Sequence, residues 1–231
     1  MFRALIARAE AAIPGQCAVC QAWPSRPLCE SCVARFAQPV PRCATCAEPV
    51  AAGLHRCGPC VAAPPPLDAC LAAVAYAYPW SHCIADFKFR GQAGWARAFA
   101  TLLRSTPWAE PALETSDLVL PMPLSRERLR ERGFNQALLL ARRLAPAKTD
   151  ATLLLRVRDT PPQRALDRAA RQRNVRDAFA VEPLRAAQLR DRRVVLVDDV
   201  MTSGASLHAA ARALRGAGAA HVTALVLART D

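Results

Sequence analysis

Val194-Val195-Leu196-Val197-Asp198-Asp199-Val200-Met201-Thr202-Ser203-Gly204-Ala205-Ser206 is the stretch on which the fold turns. Its first four residues are aliphatic and mostly β-branched, which reads as a buried strand, and that strand closes on two adjacent carboxylates. A loop of small and hydroxylated residues follows, then an Ala/Leu helix over 206–215 that Gly216 or Gly218 ends. In open α/β sheets ligands bind at the carboxyl ends of the strands. Gly204 lets backbone approach a ligand, Thr202, Ser203 and Ser206 offer hydroxyls, and the N–H groups at the helix start form an anion site. An acidic pair beside such a cradle suits a sugar phosphate, although a phosphoacceptor or a metal site would use the same acids. The Gly-Lys-Ser/Thr ending of a Walker A loop is absent.

Working outward, strand and helix patterns alternate. Leu71–Tyr78, Leu118–Leu120, Thr152–Val157 and Val222–Leu227 read as strands, and Trp95–Leu103 and Asn135–Leu144 as helices. The fold class expected is therefore α/β, a mostly parallel sheet with flanking helices. Ala62-Ala63-Pro64-Pro65-Pro66 reads as a stiff linker. It divides the chain into a module over 1–62 and an α/β domain over 63–231.

The first module is defined by cysteine. Cys17/Cys20, Cys29/Cys32, Cys43/Cys46 and Cys57/Cys60 are four Cys-x-x-Cys pairs. Each pair can set two thiolates on one tetrahedral ion, so eight cysteines imply two structural Zn2+ sites, a double zinc ribbon with four thiolates to each ion. A redox dithiol is the rival, but one such pair beside a βαβ pattern would suffice for it. Sequential pairing is preferred over an interleaved one, since short hairpins cost less chain entropy to close. Cys70 and Cys83 fall outside the pattern.

The formal net charge is +12 over 231 residues, and Lys88 and Lys148 are the two lysines among 31 basic residues. An arginine excess suits a polyanionic partner, whether phosphate, nucleotide or nucleic acid; codon bias explains part of it. Arginines concentrate in two places. Arg126, Arg128, Arg130 and Arg132 follow the Leu118 strand, interleaved with Glu127 and Glu131, and could equally form a solvated helix face. A second run from Arg156 to Arg176 sets seven arginines against Asp159 and Asp167. The longest uncharged apolar run, Ala69 to Ser81, is too short to span a bilayer, and Arg3, Arg8 and Glu10 break any signal-peptide core. The expectation is a cytoplasmic protein without membrane insertion, in a compartment where thiols stay reduced.

The 194–206 stretch resembles the 5-phosphoribosyl-1-pyrophosphate (PRPP) signature of type I phosphoribosyltransferases. That resemblance implies a type I phosphoribosyltransferase-like fold in which Asp198 and Asp199 contact the ribose hydroxyls and serve catalysis. It implies that Met201, Thr202, Ser203, Gly204, Ala205 and Ser206 hold the 5′-phosphate. The turn after the Leu118 strand would cradle pyrophosphate through Leu124, Ser125 and the catalytic candidate Arg126, with Arg132 and Arg171 as further binding candidates and Mg2+ accompanying PRPP. Purine-salvage members carry an acid where this chain has Thr202, so the general base is unassigned. The basic run 156–176 resembles the loop that closes over pyrophosphate in these enzymes, and a nucleic-acid patch would look the same.

The whole order narrows the resemblance further. Paired cysteine knuckles, a proline link, Phe87-Lys88-Phe89-Arg90-Gly91, Pro123-Leu124, Arg132-Gly133-Phe134-Asn135-Gln136 and the Asp198-Asp199 loop together are similar to the competence protein F family of DNA-utilisation proteins. The resemblance implies a link to the uptake or use of external DNA, beside single-stranded DNA and a competence helicase as partners. Two functions stay open: Mg2+-dependent phosphoribosyl transfer with pyrophosphate release, or a non-catalytic PRPP or nucleotide sensor that binds single-stranded DNA or a partner protein.

Overall fold

A computed structural model describes residues 15–158 and 177–230. By internal contacts the chain forms two compact units, 1–38 and 39–231.

In the smaller unit the Cys17–Cys20 turn leads to helix α1 (Glu30–Phe36), which Cys29 caps by accepting from the Cys32 N–H. The larger unit opens with the same design: a Cys43–Cys46 turn, then the short helix α2 (Gly58–Ala62) with Cys57 as its N-cap. Gln21 and Ala47, each directly after a knuckle, take positive φ, 61° and 57°. The two cysteine clusters are thus copies of one local fold.

The rest of the larger unit runs β1 (Ala69–Ala75), α3 (Trp80–Phe89), α4 (Trp95–Arg104), α5 (Ala109–Thr115), β2 (Leu118–Pro121), α6 (Arg126–Arg132), α7 (Gln136–Leu144), β3 (Leu154–Arg156), β4 (Phe179–Val181), a 3-10 turn (Pro183–Leu189), β5 (Arg193–Met201), α8 (Ala205–Gly216) and β6 (His221–Arg229). Four strands form a parallel sheet in the order β1-β6-β5-β2. β5 and β6 are central and almost wholly buried, which is why they read as unbroken apolar runs. β1 lies at an edge and alternates buried with half-buried residues. Helix α8 bridges β5 to β6 as a βαβ crossover, laying Leu207, Ala210, Ala211 and Leu214 into the core. β3 and β4 pair antiparallel as a separate ribbon.

Cys43, Cys46 and Cys60 share one hydrophobic core with Cys70, Leu196, Met201 and Val226, so the second cysteine cluster is built into the sheet's own packing. Cys70 and Cys83 are both buried. Two expectations shift. The first strand spans 69–75 rather than 71–78, because Tyr76–Tyr78 leave the sheet to enter α3. β5 does not stop at its acids but pairs with β6 as far as Met201 opposite Arg229, so Asp198 and Asp199 lie within the strand. Among the described residues no helix is long and apolar enough to cross a membrane.

Candidate functional site

A cleft of about 570 Å³ opens at the carboxyl end of the sheet, where β5, β2 and β1 hand the chain to their following segments. Its floor is the 198–206 stretch. One wall is the β2 turn with α6 and the start of α7, and Lys88 and Phe89 close it from α3. Arg156 and Phe179 of the β-ribbon stand at its edge, the guanidinium 5.5 Å from the ring centre.

Asp199 is 7% exposed, and its Oδ1 receives Lys88 Nζ at 2.8 Å. Asp198 accepts from the Asp199 N–H at 2.9 Å. Burial, then the neighbouring Asp199 charge, push the Asp198 carboxyl up to about 7, against the pull of Lys88, that N–H and Arg132. Two acids side by side in a half-closed cleft are held by few cations, and one of them sits poised near neutrality.

The loop after β5 turns at Gly204, with φ 75°. The glycine has a conformational reason that stands beside ligand approach. A Cβ there would lie 2.5 Å from Met201 Cε and 3.0 Å from His208 ring atoms. Thr202 is exposed, Ser203 and Ser206 are half-buried, and Ala205 is buried at the start of α8. Ala205, Ser206 and Leu207, the first turn of that twelve-residue helix, line the cleft, and their N–H groups have no helical carbonyl to bond; the Ala205 N–H donates to Ser203 Oγ at 3.4 Å, and such helix starts are the usual basis of an anion site.

The arginine-rich wall is sorted by helix period. Arg128, Glu131 and Arg132 lie three and four residues apart on α6 and line the cleft, while Arg126 is exposed in the first turn and does not. Leu124 lines the cleft; Ser125 is buried and caps α6 by accepting from the Arg128 N–H at 3.2 Å. Arg171 lies outside the described residues, as do Arg164 and Arg168.

Each residue of Arg132-Gly133-Phe134-Asn135-Gln136 has a distinct task. Gly133 ends α6 at φ 76°, its N–H on the Leu129 carbonyl. Phe134 packs 5.8 Å from Phe87 of α3. Asn135 caps α7 by accepting from Leu138 N–H, and its amide donates to the Met122 carbonyl at 3.0 Å, tying α7 to the end of β2. Arg132 stacks over Phe89 at 5.1 Å and donates to Gln136 Oε1 at 3.1 Å. Burial draws its guanidinium below the ordinary value, and Asp199 draws it back. Arg132 Nε and Gln136 Nε2 are buried donors without a partner, both at the cleft. Unmet donors of this kind, beside a helix start whose N–H groups lack helical partners, suit a ligand rich in acceptor oxygens.

Lys88 is the site residue that reading the sequence left without a role. The available signal was its rarity, one of two lysines in an arginine-rich chain. The other, Lys148, donates to the Leu113 and Glu114 carbonyls at 2.8 and 2.7 Å and so caps α5.

The cysteines group as Cys17/Cys20/Cys29/Cys32 and Cys43/Cys46/Cys57/Cys60, the sequential pairing, with each group's sulfurs within 4.8 Å of one another. Cys17–Cys32 and Cys46–Cys57 sulfurs stand 3.8 and 3.6 Å apart. A tetrahedron of Zn–S bonds of about 2.3 Å needs edges of about 3.8 Å, so the donors fit the ion. Burial raises the Cys17 and Cys43 thiols, but hydrogen bonds to them (for Cys17 from the N–H groups of Cys20, Cys29 and Val19) outweigh it and bring each to about 6. Burial and the neighbouring thiols raise Cys32 in the first cluster and Cys46 and Cys60 in the second, so without an ion the thiolate character of each cluster is concentrated on Cys17 and on Cys43.

Residues 133–231 match the model of the phosphoribosyl transferase domain. The match covers β5, its loop, α8 and β6, and begins inside the Arg-Gly-Phe-Asn-Gln run. The DNA utilization protein YhgH of Salmonella typhimurium is 32% identical over 233 residues, 94% of this chain and 98% of that protein. Competence protein F of Haemophilus influenzae is 32% identical over 177 residues, 74% of this chain and 76% of that protein. Competence protein ComFC of Bacillus subtilis is 32% identical over 148 residues, 64% and 58% of the two chains. With a similarity that runs nearly end to end, two cysteine clusters fit for zinc and a phosphoribosyl transferase domain around the cleft, the chain belongs to the competence protein F and DNA utilization protein YhgH family.

Proposed function

We propose that the cleft binds PRPP and that the protein is a Mg2+-dependent phosphoribosyltransferase of the cytoplasm, serving the use of external DNA. The observation that carries this is the acidic pair at the carboxyl end of β5, set directly against the loop that opens α8. Asp198 and Asp199 would accept from the ribose hydroxyls. Residues 201–206 would hold the 5′-phosphate on the α8 N–H groups. For pyrophosphate the turn after β2 offers Leu124 and, on α6, Arg128 and Arg132, whose guanidinium forks suit phosphate oxygens, while Ser125 shapes that turn as the α6 cap and Arg126, exposed outside the cleft, would have to swing in to take part. As an acceptor nitrogen attacks the anomeric carbon, the bond to pyrophosphate breaks and the electron pair leaves with it. Positive charge grows on the ring beside the carboxylates, and negative charge grows beside the arginines. Mg2+, when bound with PRPP, supplies charge neutralisation at the departing pyrophosphate.

The two cysteine clusters are proposed to hold structural zinc, since four protein ligands leave no position for water. Protein purified without chelators should contain about two zinc ions per chain by mass spectrometry under native conditions. A content near zero would refute this.

One observation favours the sensing alternative. Among the described cleft residues the acids are Glu131, Asp198 and Asp199, and no histidine lines the cleft; with Lys88 on Asp199 and both aspartates assigned to the ribose hydroxyls, Glu131 on the arginine wall is the one acid left over for a general base. A sensor would bind PRPP or a nucleotide and use arginines for single-stranded DNA or a partner such as a helicase. Release of labelled pyrophosphate from PRPP across candidate acceptors decides between them, with the Asp198→Asn/Asp199→Asn double variant as control. Release that the double variant abolishes supports transfer. Binding without release, for every acceptor, leaves the sensor.

A further inference from the structure

Beneath the loop lies Arg229, at the carboxyl end of β6 and 8% exposed. Its guanidinium is divided among three segments. Nε donates to the Cys46 carbonyl at 3.1 Å, and Nη2 meets the Glu48 carboxylate. Nη1 donates to the Met201 carbonyl at 3.5 Å and to the carbonyl and hydroxyl of Thr230. Met201, the first residue of the loop, lies opposite Arg229 in the sheet. Two further contacts join the same parts. The Cys70 N–H donates to the Ala44 carbonyl at 2.8 Å, and Cys70 Sγ stands 3.5 Å from Met201 Sδ. Ala44 and Cys46 belong to the second cysteine knuckle.

A buried cation is expensive, and a well-packed apolar side chain of similar volume would often serve stability as well or better. What an arginine adds is a rigid planar fork, which fixes the position of one carbonyl relative to another. Here one end is fixed by the knuckle and the other by the residue that starts the phosphate loop. Arg229 does not line the cleft. Any effect it has on a ligand must pass through the neighbours that do line the cleft, Met201 and Thr230, and Met201 is the one that opens the loop.

We propose that Arg229 is a positioning residue that couples the Cys43/Cys46/Cys57/Cys60 knuckle to the 201–206 loop, so that the loop keeps its ligand-ready shape only while the knuckle is intact. The inference rests on the reading that this loop holds a phosphate. A regulatory consequence follows: loss of metal from the second cysteine cluster reaches the cleft without any change in the cleft's own side chains.

The test uses the full chain with Arg229→Lys, Arg229→Met and Glu48→Gln. Arg229→Lys keeps the charge beside Glu48 but loses the fork. It is expected to retain the zinc content of the wild type, to show faster hydrogen exchange at the Met201–Ser206 amides, and to bind PRPP with Mg2+ about tenfold or more weakly. Glu48→Gln should move both readouts the same way by less. Removing metal from the wild type with a chelator should speed exchange at the same amides. If Arg229→Met fails to fold, the other two variants still decide. Unchanged loop exchange and PRPP affinity in Arg229→Lys would overturn the proposal, as would metal loss from the second cluster that leaves loop exchange unchanged. If the wild type binds no PRPP, the function proposed above falls, and the exchange measurements still judge this coupling.

Discussion

Replacing Lys88 by Met removes the cation that sits 2.8 Å from Asp199, in a pair whose side chains are 15% and 10% exposed. The readout is the neighbouring carboxyl, Asp198, which burial and the Asp199 charge hold up at about 7. Lys88 leads the forces opposing that rise, ahead of the Asp199 N–H and Arg132. Unit charges about 5 Å apart at an effective dielectric of about 20 interact by about 3 kcal/mol, and solvent and Arg132 take up part of the loss. Asp198 should therefore move up by about 1–2 pH units, at about 1.4 kcal/mol per unit. The direction for stability follows from proton binding. A carboxyl raised in the folded state binds more protons folded than unfolded, so its contribution is fully present below the unfolded value near 3.8 and is lost as pH rises through about 7. In Lys88→Met that loss continues to about pH 8–9, so the Asp198 share of the penalty should be absent at pH 4 and grow between pH 7 and 9. Carbon NMR of the carboxyl and urea denaturation across this range are the assays. An Asp198 midpoint that stays put or falls, with a stability difference independent of pH, would refute the electrostatic account. Lys88→Arg should restore most of the wild-type profile.

Two further outcomes are expected. Gly204→Ala forces a Cβ into the left-handed region and against Met201 Cε at 2.5 Å, so it should destabilise the protein by about 1–3 kcal/mol in denaturant melts; a neutral effect would show that the turn adapts freely. Asn135→Ala removes the α7 cap and the tie to the Met122 carbonyl, and should cost about 1–2 kcal/mol, whereas Asn135→Asp, which keeps the cap alone, should recover about half; equal loss in both would mean that the tie, not the cap, carries the energy.

How much of this was legible in the sequence varies with the physics of each part. β5 and β6 were readable because a strand buried on both faces has no choice but continuous apolar residues. The cysteine clusters were readable because four-ligand chemistry fixes the spacing of its pairs. Helix α3 was missed although Trp80, Cys83, Ile84 and Phe87 follow the helical spacing, since its N-cap, Pro79, carries no capping side chain to mark the start. Lys88 was lost with it. Among the arginines, the sequence pointed to Arg126 and Arg132; helix period sets Arg132 on the cleft side together with Arg128, which position in the turn alone did not single out. Which cation meets which acid depends on tertiary packing between α3 and β5, more than a hundred residues apart, and no local pattern encodes it.

The Arg-Gly-Phe-Asn-Gln run builds a corner of the fold and leaves two donors unmet beside the cleft. Gly133 and Asn135 set the corner between α6 and α7, and Phe134 pins that corner to α3, the helix that carries Lys88. The corner therefore fixes the distance between the arginine wall and the cation that holds Asp199. Arg132 and Gln136, flanking the corner, bond to each other yet keep one buried donor apiece unmet. An unmet buried donor costs about 1–3 kcal/mol, a poor choice for a joint that serves stability alone. Both unmet donors lie beside the cleft that the acidic pair and the α8 N-terminus share. Under the function proposed above, the pyrophosphate of PRPP would offer acceptor oxygens to Arg128 directly, and would return this cost as binding energy if the wall shifts enough to bring the two buried donors to the cleft surface.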